Sequence, residues 1–224
     1  MERLKRGGPP LDPAATQLSF AISALHTTTE LLKQAILDVA AHPELIEPLR
    51  EEIKAVVNER GWTTAGLFKM RLLDSVVKET QRLKPGSLVN LERKLLKDMV
   101  LPNGITLPRG TNIAVDSLSM WDPSIYPNPE IYDAYRFLQL REAGDNSAVL
   151  AATSPEHIAF GIRKPVCPGR FFAANEVRVA LARIVLDYDI RLADGERERK
   201  PVEFGFEVLS NLEAQLQVRR RSYS

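Results

Sequence analysis

The residue with the clearest chemical potential is Cys167, the single cysteine of this 224-residue chain. It stands in the segment FGIRKPVCPGR (160–170), where basic residues precede the cysteine and a predicted helix follows it. Neighbouring cations and the positive end of a helix dipole both favour a thiolate over a thiol, and the thiolate is the form that binds iron. A buried structural cysteine is the alternative interpretation, because free cysteine is among the most buried residue types.

An acid and a base lie three residues apart in KETQR (78–82), at Glu79 and Arg82. On a helix this spacing places both side chains on one face, where they can pair. Such a pair at the protein surface would stabilise the fold by at most ~1 kcal/mol. By itself, therefore, the motif carries little information about function.

Three consecutive threonines, Thr27 to Thr29, follow His26 in the middle of a long predicted helix. Each threonine disfavours a helix interior by a few tenths of a kcal/mol relative to alanine, at roughly the scale of measured propensities. Threonine hydroxyls can also bond back to helix carbonyls and bend the helix. The pattern is consistent with a functional distortion or with a threonine-rich helix face in the core.

The hydrophobic periodicity predicts a mainly helical chain that positions these three motifs. At ~1.5 Å per residue the first helix would be roughly 40 Å long, enough to cross a whole domain. Asn103-Gly104 predicts a hairpin within an extended region. The predicted segments are a first helix over about 13–41, a second over about 43–58, a helix over about 69–84, extended stretches over 88–115, an irregular meander over about 121–155 and a last helix over about 169–188.

Composition narrows the classes of function. The formal net charge is +1, which gives no reason to expect nucleic acid as a partner, and we interpret Arg219 to Arg221 as a solvated tail. One cysteine excludes an internal disulfide framework and a multi-thiolate zinc or iron–sulfur site. The sequence shows neither a signal peptide nor an apolar run of the ~20 residues that a membrane helix needs, so we expect a cytoplasmic chain without a transmembrane segment.

The cysteine segment, followed by Phe171-Phe172-Ala173, resembles the haem-ligand loop of the cytochrome P450 family, and most of all that of its filamentous-fungal members. The likeness extends from Thr16 to about Arg219, with the three motifs in the order that the latter half of a family member has. It implies a mainly α fold with small β-sheets, in which residues 1–224 form the C-terminal, haem-binding part of a single truncated cytochrome P450 domain.

The resemblance assigns roles around haem b, the expected cofactor. Cys167 matches the axial thiolate ligand of the haem iron, and Phe160 matches a side chain that shields this thiolate. Gly169 matches a glycine that lets the chain turn into the last helix. Arg93 stands where the family has an arginine that contacts a haem propionate, and the planar guanidinium suits a carboxylate.

Two further sets of residues take roles from the same resemblance. Glu79 and Arg82, together with Arg136 in AYRF (134–137), match a buried three-residue network that supports the cysteine loop. Thr27 matches the threonine that contacts dioxygen. His26 stands where most members have an acid, as is common in fungal relatives, and is a candidate for proton delivery.

Two residues of the cysteine loop depart from the family pattern. Arg163 replaces a glycine, and a left-handed backbone there would cost a non-glycine residue roughly 1–2 kcal/mol. Pro165 replaces a histidine or arginine that contacts a propionate, and proline removes both a cation and a backbone donor. We therefore expect these departures to weaken haem binding.

Together these features predict a haem-thiolate monooxygenase that inserts one oxygen atom from O₂ into an apolar small molecule, in fungal specialised, terpenoid-like metabolism. An NADPH-dependent reductase would supply electrons, and a full-length relative would lie at the cytosolic face of the endoplasmic reticulum membrane. The alternative is a truncated, non-catalytic remnant with weak or no haem binding. The N-terminal half of a family member is missing, so we also expect exposed apolar faces on the first and last helices. An unrelated helical interaction module would require the three ordered motifs to be a coincidence.

Overall fold

The computed structural model describes residues 12–164, 166–193 and 200–222. Helices dominate the described chain and small sheets accompany them, which confirms the predicted fold class. The helices, labelled in chain order, are α1 (Pro13–Ala41), α2 (Ile46–Arg60), α3 (Thr64–Lys69), α4 (Arg71–Leu83), α5 (Arg136–Glu142) and α6 (Arg170–Asp187), with 3₁₀ turns at Pro43–Leu45, Leu118–Trp121 and Asn146–Ala148.

Local capping sets both ends of α1. At its start, an oxygen of the Asp12 carboxylate accepts a hydrogen bond from the Ala14 backbone N at 2.9 Å, and Pro13 occupies the first helical position. At its end, the backbone N of His42 donates to the Asp38 carbonyl at 3.1 Å, and a proline follows at once. Proline favours the first turn of a helix and cannot continue one that precedes it, so these bounds follow from the sequence.

The core lies among α1, α2, α4 and α6, which pack against one another. Burial here removes branched aliphatic side chains from water, at ~25 cal/mol for each Å² of apolar surface. The fully buried members of this cluster include Val39, Leu49, Ile53, Leu73, Val76, Val77, Val177, Leu181 and Val185.

Helix α1 leaves the core in its first half. Leu18, Ile22 and Leu25 are each more than 60% exposed, whereas Ala35 and Val39 in the second half are fully buried. On α6, Phe172 is 69% exposed. The expected exposed apolar face is therefore confirmed for the first half of α1. For α6 it is confirmed only in the first turn, because Val177, Leu181 and Val185 on its apolar side are fully buried.

Helix α4 is buried on every side from Leu72 to Arg82. This burial is unusual because the helix carries four charged side chains in that stretch, and buried charges are stable only when they are paired or hydrogen-bonded. A side chain from α2 caps the first turn of α4. The Glu52 carboxylate accepts hydrogen bonds from the backbone N of Leu72 at 2.7 Å and from that of Leu73 at 3.0 Å. Burial raises the pKa of Glu52, although these two hydrogen bonds oppose the shift.

The strands of the described residues form two-stranded antiparallel sheets. The Asn103-Gly104 turn joins one pair, and Gly104 adopts φ +84°, as the predicted hairpin requires. The pairs are β1 (Val89–Lys94) with β4 (Asn112–Asp116), β2 (Met99–Val100) with β3 (Thr106–Leu107), β5 (Tyr188–Leu192) with β8 (Leu216–Arg220), and β6 (Val202–Phe204) with β7 (Glu207–Leu209).

The meander expected over 121–155 is less irregular than the sequence indicates. It contains the seven-residue helix α5 and the 3₁₀ turn that begins at Asn146, which is capped by the Asp145 carboxylate. A helix of two turns is too short to produce a clear 3.6-residue pattern, so periodicity missed it. Tertiary contacts stabilise it instead, because its first residues, Arg136 and Phe137, are buried.

Candidate functional site

In the cysteine loop (160–170), Cys167 is exposed to solvent just before the N-terminus of α6. The backbone N of Cys167 donates to the Phe160 carbonyl at 2.8 Å, and Gly161 pairs with Val166, so the loop closes on itself like a narrow hairpin. The Arg170 guanidinium donates to the Cys167 carbonyl at 3.0 Å. Because the thiol is exposed, the interpretation of Cys167 as a buried structural cysteine is wrong.

Arg163, within this loop, has a left-handed backbone with φ +56°. For a residue with a Cβ atom this conformation costs roughly 1–2 kcal/mol, and glycine would adopt it freely. The side chain is exposed, so little packing offsets the cost. Pro165, the second departure from the family pattern, lies outside the described residues.

Gly169 does not have the backbone that its expected role suggests. Its φ of −86° and ψ of −1° are open to any residue, so the turn into α6 does not require glycine. A Cβ atom at this position would lie 4.0 Å from the Cys167 Sγ. Because glycine has no side chain, one side of the thiol stays open. Gly169 therefore contributes through its small size and not through its backbone conformation.

Strand β1 brings Arg93 to the cysteine loop. The strand pairing shifts between Asn90 and Arg93, and Leu91 within this irregularity has φ +56°. One Nη of Arg93 donates to the Lys164 carbonyl at 3.2 Å and the other to the Glu92 carbonyl at 2.6 Å. The sequence prediction put this arginine near the haem, and the structure places its guanidinium against the loop that carries Cys167.

Glu79 and Arg82 form a bidentate pair inside the protein. Arg82 Nη2 lies 2.7 Å from Glu79 Oε1, Arg82 Nε lies 2.9 Å from Glu79 Oε2, and both side chains are fully buried. Arg136 completes the predicted trio, with its Nε 3.1 Å from Glu79 Oε1. The alternative of a weak surface ion pair is therefore wrong.

The same two arginines hold the meander. Arg82 Nη1 donates to the carbonyls of Met120 at 2.7 Å and Pro129 at 2.8 Å. Arg136 Nη1 donates to the Pro127 carbonyl at 2.8 Å. A segment without regular structure has carbonyls that need donors, and the guanidinium groups supply them from the buried side.

A second buried ion cluster was not expected from the sequence. Asp74 of α4 accepts two hydrogen bonds from Arg178 of α6, one of them from Nε at 2.7 Å, and a third from the Leu150 backbone N at 2.9 Å. Arg141 Nη1 lies 3.7 Å from the same carboxylate. The cluster ties α4 to the helix that follows Cys167, and its partners are too far apart in sequence to form a motif.

A buried lysine and histidine support the segment that enters the cysteine loop. Lys78 Nζ donates to the carbonyls of Val149 at 3.0 Å and Ala152 at 3.2 Å, and burial lowers its pKa to about 8. His157, 2% exposed, lies edge-on to the Phe137 ring with centroids 5.7 Å apart. Among the described residues, neither ring nitrogen of His157 has a hydrogen-bond partner.

Thr27 and His26 lie on the exposed half of α1. The Thr27 hydroxyl donates to the Ser23 carbonyl at 2.8 Å, the back-bonding geometry that the sequence predicts. Thr27 and Thr29 are exposed and Thr28 is buried, so the alternative of a threonine-rich face in the core holds for Thr28 alone. His26 lines a cavity of about 710 Å³ whose walls include Leu25, Thr29 and Leu209.

The described residues suit a haem better than a multi-ligand metal site. Nowhere in the described chain do three or more His, Cys, Asp or Glu side chains cluster so that they could hold a metal ion. One exposed thiol with Arg93 beside its loop matches a group that takes a single axial thiolate and carries anionic side arms. Exposed apolar side chains nearby in sequence, such as Phe171 at 60%, suit an apolar planar group. The donor set therefore fits the cofactor.

Comparison with known proteins supports this interpretation. The profile of the family Cytochrome P450 matches residues 11–218. The chain is 46% identical over 216 residues to cytochrome P450 monooxygenase ntnM of Nectria sp., which covers 96% of the chain and 42% of that relative. It is 46% identical over 219 residues to trt6 of Aspergillus terreus (96% and 45%) and 45% identical over 212 residues to TRI1 of Fusarium sporotrichioides (94% and 39%).

The chain therefore belongs to the cytochrome P450 family, as its motifs predict. The proteins to which it is similar are named fungal cytochrome P450 monooxygenases, and monooxygenases are a class of oxidoreductase. The chain spans less than half the length of these curated relatives. In the described residues, no helix combines the length and the apolar character that crossing a bilayer needs.

Proposed function

We propose that this chain is the haem-binding portion of a monooxygenase that inserts one oxygen atom of O₂ into an apolar small molecule. The observation that carries the proposal is the exposed Cys167 thiol at the foot of α6, on a loop that also binds the Arg93 guanidinium. Membership in a family whose similar members are named monooxygenases supports it.

Four residues would hold haem b. Cys167, exposed just before α6, would bind the haem iron through its Sγ. Phe160 lies at the base of the loop, where its carbonyl fixes the Cys167 backbone, and Gly169 leaves the thiol open on one side. Arg93 has donors left after its two carbonyl bonds, and these suit a propionate. When bound, a thiolate-ligated haem supplies the chemistry of O–O cleavage.

Thr27 and His26 would handle dioxygen and protons. The Thr27 hydroxyl already donates to the Ser23 carbonyl, so its oxygen lone pairs can accept a hydrogen bond or its proton can rotate to a new acceptor. The exposed His26 imidazole lines the cavity, where it would take part in proton delivery. Glu79, Arg82 and Arg136 would act through the fold, since they lie within the protein and hold the meander.

The proposal extends to partners. We place the apolar substrate in the cavity beside His26, and we name O₂ as the second substrate and an NADPH-dependent reductase as the electron donor. Fungal specialised metabolism of a terpenoid-like compound is the proposed context, because the similar proteins are fungal monooxygenases. For a full-length relative, the proposed location is the cytosolic face of the endoplasmic reticulum membrane.

Isotope labelling tests the activity. The haem-loaded chain, a fungal NADPH-dependent reductase and a panel of terpenoids are incubated under heavy-isotope-labelled dioxygen, and products are analysed by mass spectrometry. We expect one labelled oxygen atom per product molecule, and no product from the Cys167→Ala variant. Equal product from both proteins, or unlabelled product, would exclude the proposed reaction.

One observation favours a second candidate, a non-catalytic remnant with weak or no haem binding. Arg163 keeps a left-handed backbone that costs energy without visible compensation in the described residues. A haem titration separates the two candidates, because a remnant would show no saturable binding that depends on Cys167.

A further inference from the structure

The cavity beside His26 has a second wall on the opposite side from α1. This wall consists of residues 209–213, the last residue of strand β7 and the four residues after it, which we call the 209–213 turn. The side chain of Leu212 in this turn is 91% exposed, so few neighbouring side chains fix its position. The width of the cavity therefore depends on how firmly the backbone of the turn is held relative to α1.

A glutamate of α1 holds that backbone. The backbone N of Ser210 donates to Glu30 Oε1, and Ser210 is only 5% exposed. The second carboxylate oxygen, Glu30 Oε2, lies 2.6 Å from Lys33 Nζ. The Glu30 side chain is 12% exposed and that of Lys33 is 44% exposed, so the carboxylate faces the turn while the ammonium reaches solvent.

The rest of the 202–213 segment is fixed elsewhere. Its hairpin end is anchored away from α1, with the Leu88 backbone N donating to the Phe206 carbonyl at 2.7 Å. The turn keeps its own shape because the Glu213 backbone N donates to Asn211 Oδ1 at 2.9 Å. Neither contact reaches α1. Among the described residues, the bond between Glu30 and Ser210 joins the turn to the helix that carries Thr27.

We infer that Glu30 is a positioning residue for the substrate cavity, a role that rests on the proposed function. Glu30 follows Thr27 by three residues, so both side chains lie on neighbouring positions of one helix face. By holding Ser210, Glu30 sets the separation between the Leu212 wall and the His26 wall. It thereby selects which apolar molecules fit beside His26, without contacting the reacting atoms.

Amide hydrogen exchange tests the contact in the chain without cofactor. In Glu30→Ala we expect the Ser210 amide to exchange about tenfold faster, which corresponds to ~1.4 kcal/mol. In Glu30→Gln the side-chain amide oxygen still accepts, so the rate should stay within about threefold of the original. The control is Glu51→Gln, which removes the same charge from an exposed position on α2. An unchanged Ser210 rate in Glu30→Ala overturns the inference. If the Val177 amide in the core also exchanges faster in Glu30→Ala, the substitution has destabilised the whole fold. The Glu30→Gln variant then decides: a Ser210 rate within about threefold of the original supports the inference, and a faster rate overturns it.

Ligand affinity tests the role at the cavity. Imidazole and 1-dodecylimidazole are titrated into the haem-loaded chain and followed by absorbance. Both would offer the same nitrogen to the haem iron, but only the second carries an apolar chain that needs the cavity. We expect Glu30→Ala to weaken 1-dodecylimidazole about tenfold relative to imidazole, and Glu30→Gln to restore the affinity. Equal weakening of both ligands, or of neither, overturns the positioning role. If no variant binds haem, the proposed function fails, and Ser210 exchange still decides whether Glu30 holds the turn.

Discussion

Arg82 binds both carboxylate oxygens of Glu79, at 2.7 and 2.9 Å, and neither side chain is exposed to solvent. Arg82 Nη1 donates to the carbonyl of Met120, in the 3₁₀ turn that leads into the meander, and to the carbonyl of Pro129 within the meander. This arrangement makes the pair a link between α4 and the meander. Its energetic role is therefore that of a buried network and differs from that of a surface salt bridge.

Removal of Arg82 should nearly unfold the chain. Arg82→Ala leaves the Glu79 carboxylate buried without its main partner, which typically costs ~3–5 kcal/mol. Arg60 pairs with Glu59 at the surface, where both side chains are about half exposed or more, so Arg60→Ala should cost less than ~1 kcal/mol. Urea unfolding of both variants gives the comparison. Similar losses in the two variants would mean that the buried pair has no special role.

Stability should fall in mild acid because of His157. Burial, and then the nearby Lys78 cation, hold the pKa of His157 well below its ordinary value of 6.5, so the folded chain keeps the ring neutral. Below pH 6.5 the His157 ring binds a proton in the unfolded chain but not in the folded chain. The unfolding free energy therefore decreases by up to ~1.4 kcal/mol per pH unit until the folded pKa is reached.

The variant His157→Phe isolates this effect, since a phenyl ring can keep the edge-on contact with Phe137. Unfolding free energies measured between pH 7 and pH 5 should show a smaller decrease in this variant than in the original chain. The control is His26→Phe, the same substitution at an exposed position. A steep decrease that persists in His157→Phe would assign the acid sensitivity to other groups.

Glycine at position 163 should tighten haem binding. Arg163→Gly relieves a left-handed backbone that costs roughly 1–2 kcal/mol, and the extra freedom of glycine in the unfolded chain offsets part of this gain. A net gain of about 0.5–1 kcal/mol in loop stability is the expected result. Haem titration and thermal unfolding measure it. Lys164→Gly, at a neighbour without a positive φ, should give no gain, and equal effects at both positions would contradict the strain argument.

Arg93 should contribute to haem affinity through charge and geometry together. Arg93→Ala should weaken haem binding about tenfold, as expected for a charge-assisted bond worth ~1.5–3 kcal/mol before entropy is subtracted. Arg93→Lys keeps the charge but loses the planar guanidinium, so its haem affinity should lie between those of the original chain and Arg93→Ala. Arg109→Ala, at an exposed turn, is the control. Unchanged affinity in Arg93→Ala would mean that its contact with Lys164 is purely structural.

Local patterns in the sequence predicted the elements well where a cap or a breaker marks them. Asp12 and Pro13 mark the start of α1, His42 and Pro43 mark its end, and Asn103-Gly104 marks the hairpin. The buried trio of Glu79, Arg82 and Arg136 followed from motif resemblance, since its motifs are short runs in a fixed order. For Arg163, the sequence predicted a strained backbone only if this position is left-handed, as positions that hold glycine often are.

The sequence could not show contacts that join distant residues. Asp74 and Arg178 are separated by 104 positions, and Glu30 and Ser210 by 180, so no local spacing reveals either pair. The conformation of Gly169 was also misjudged, because a glycine before a helix suggests a special backbone, whereas its value here is the missing side chain beside Cys167. Such features depend on tertiary packing.

The reduced, CO-bound absorption spectrum tests the central claim most directly. The 224-residue chain and its Cys167→Ala variant are each loaded with haem b, reduced and exposed to CO. We expect the red-shifted Soret band of thiolate ligation from the original chain and its loss from the variant, because Cys167 is the single thiol in the sequence. The same red-shifted band in Cys167→Ala, or its absence from the original chain, would contradict the assignment of Cys167 as the ligand of the haem iron.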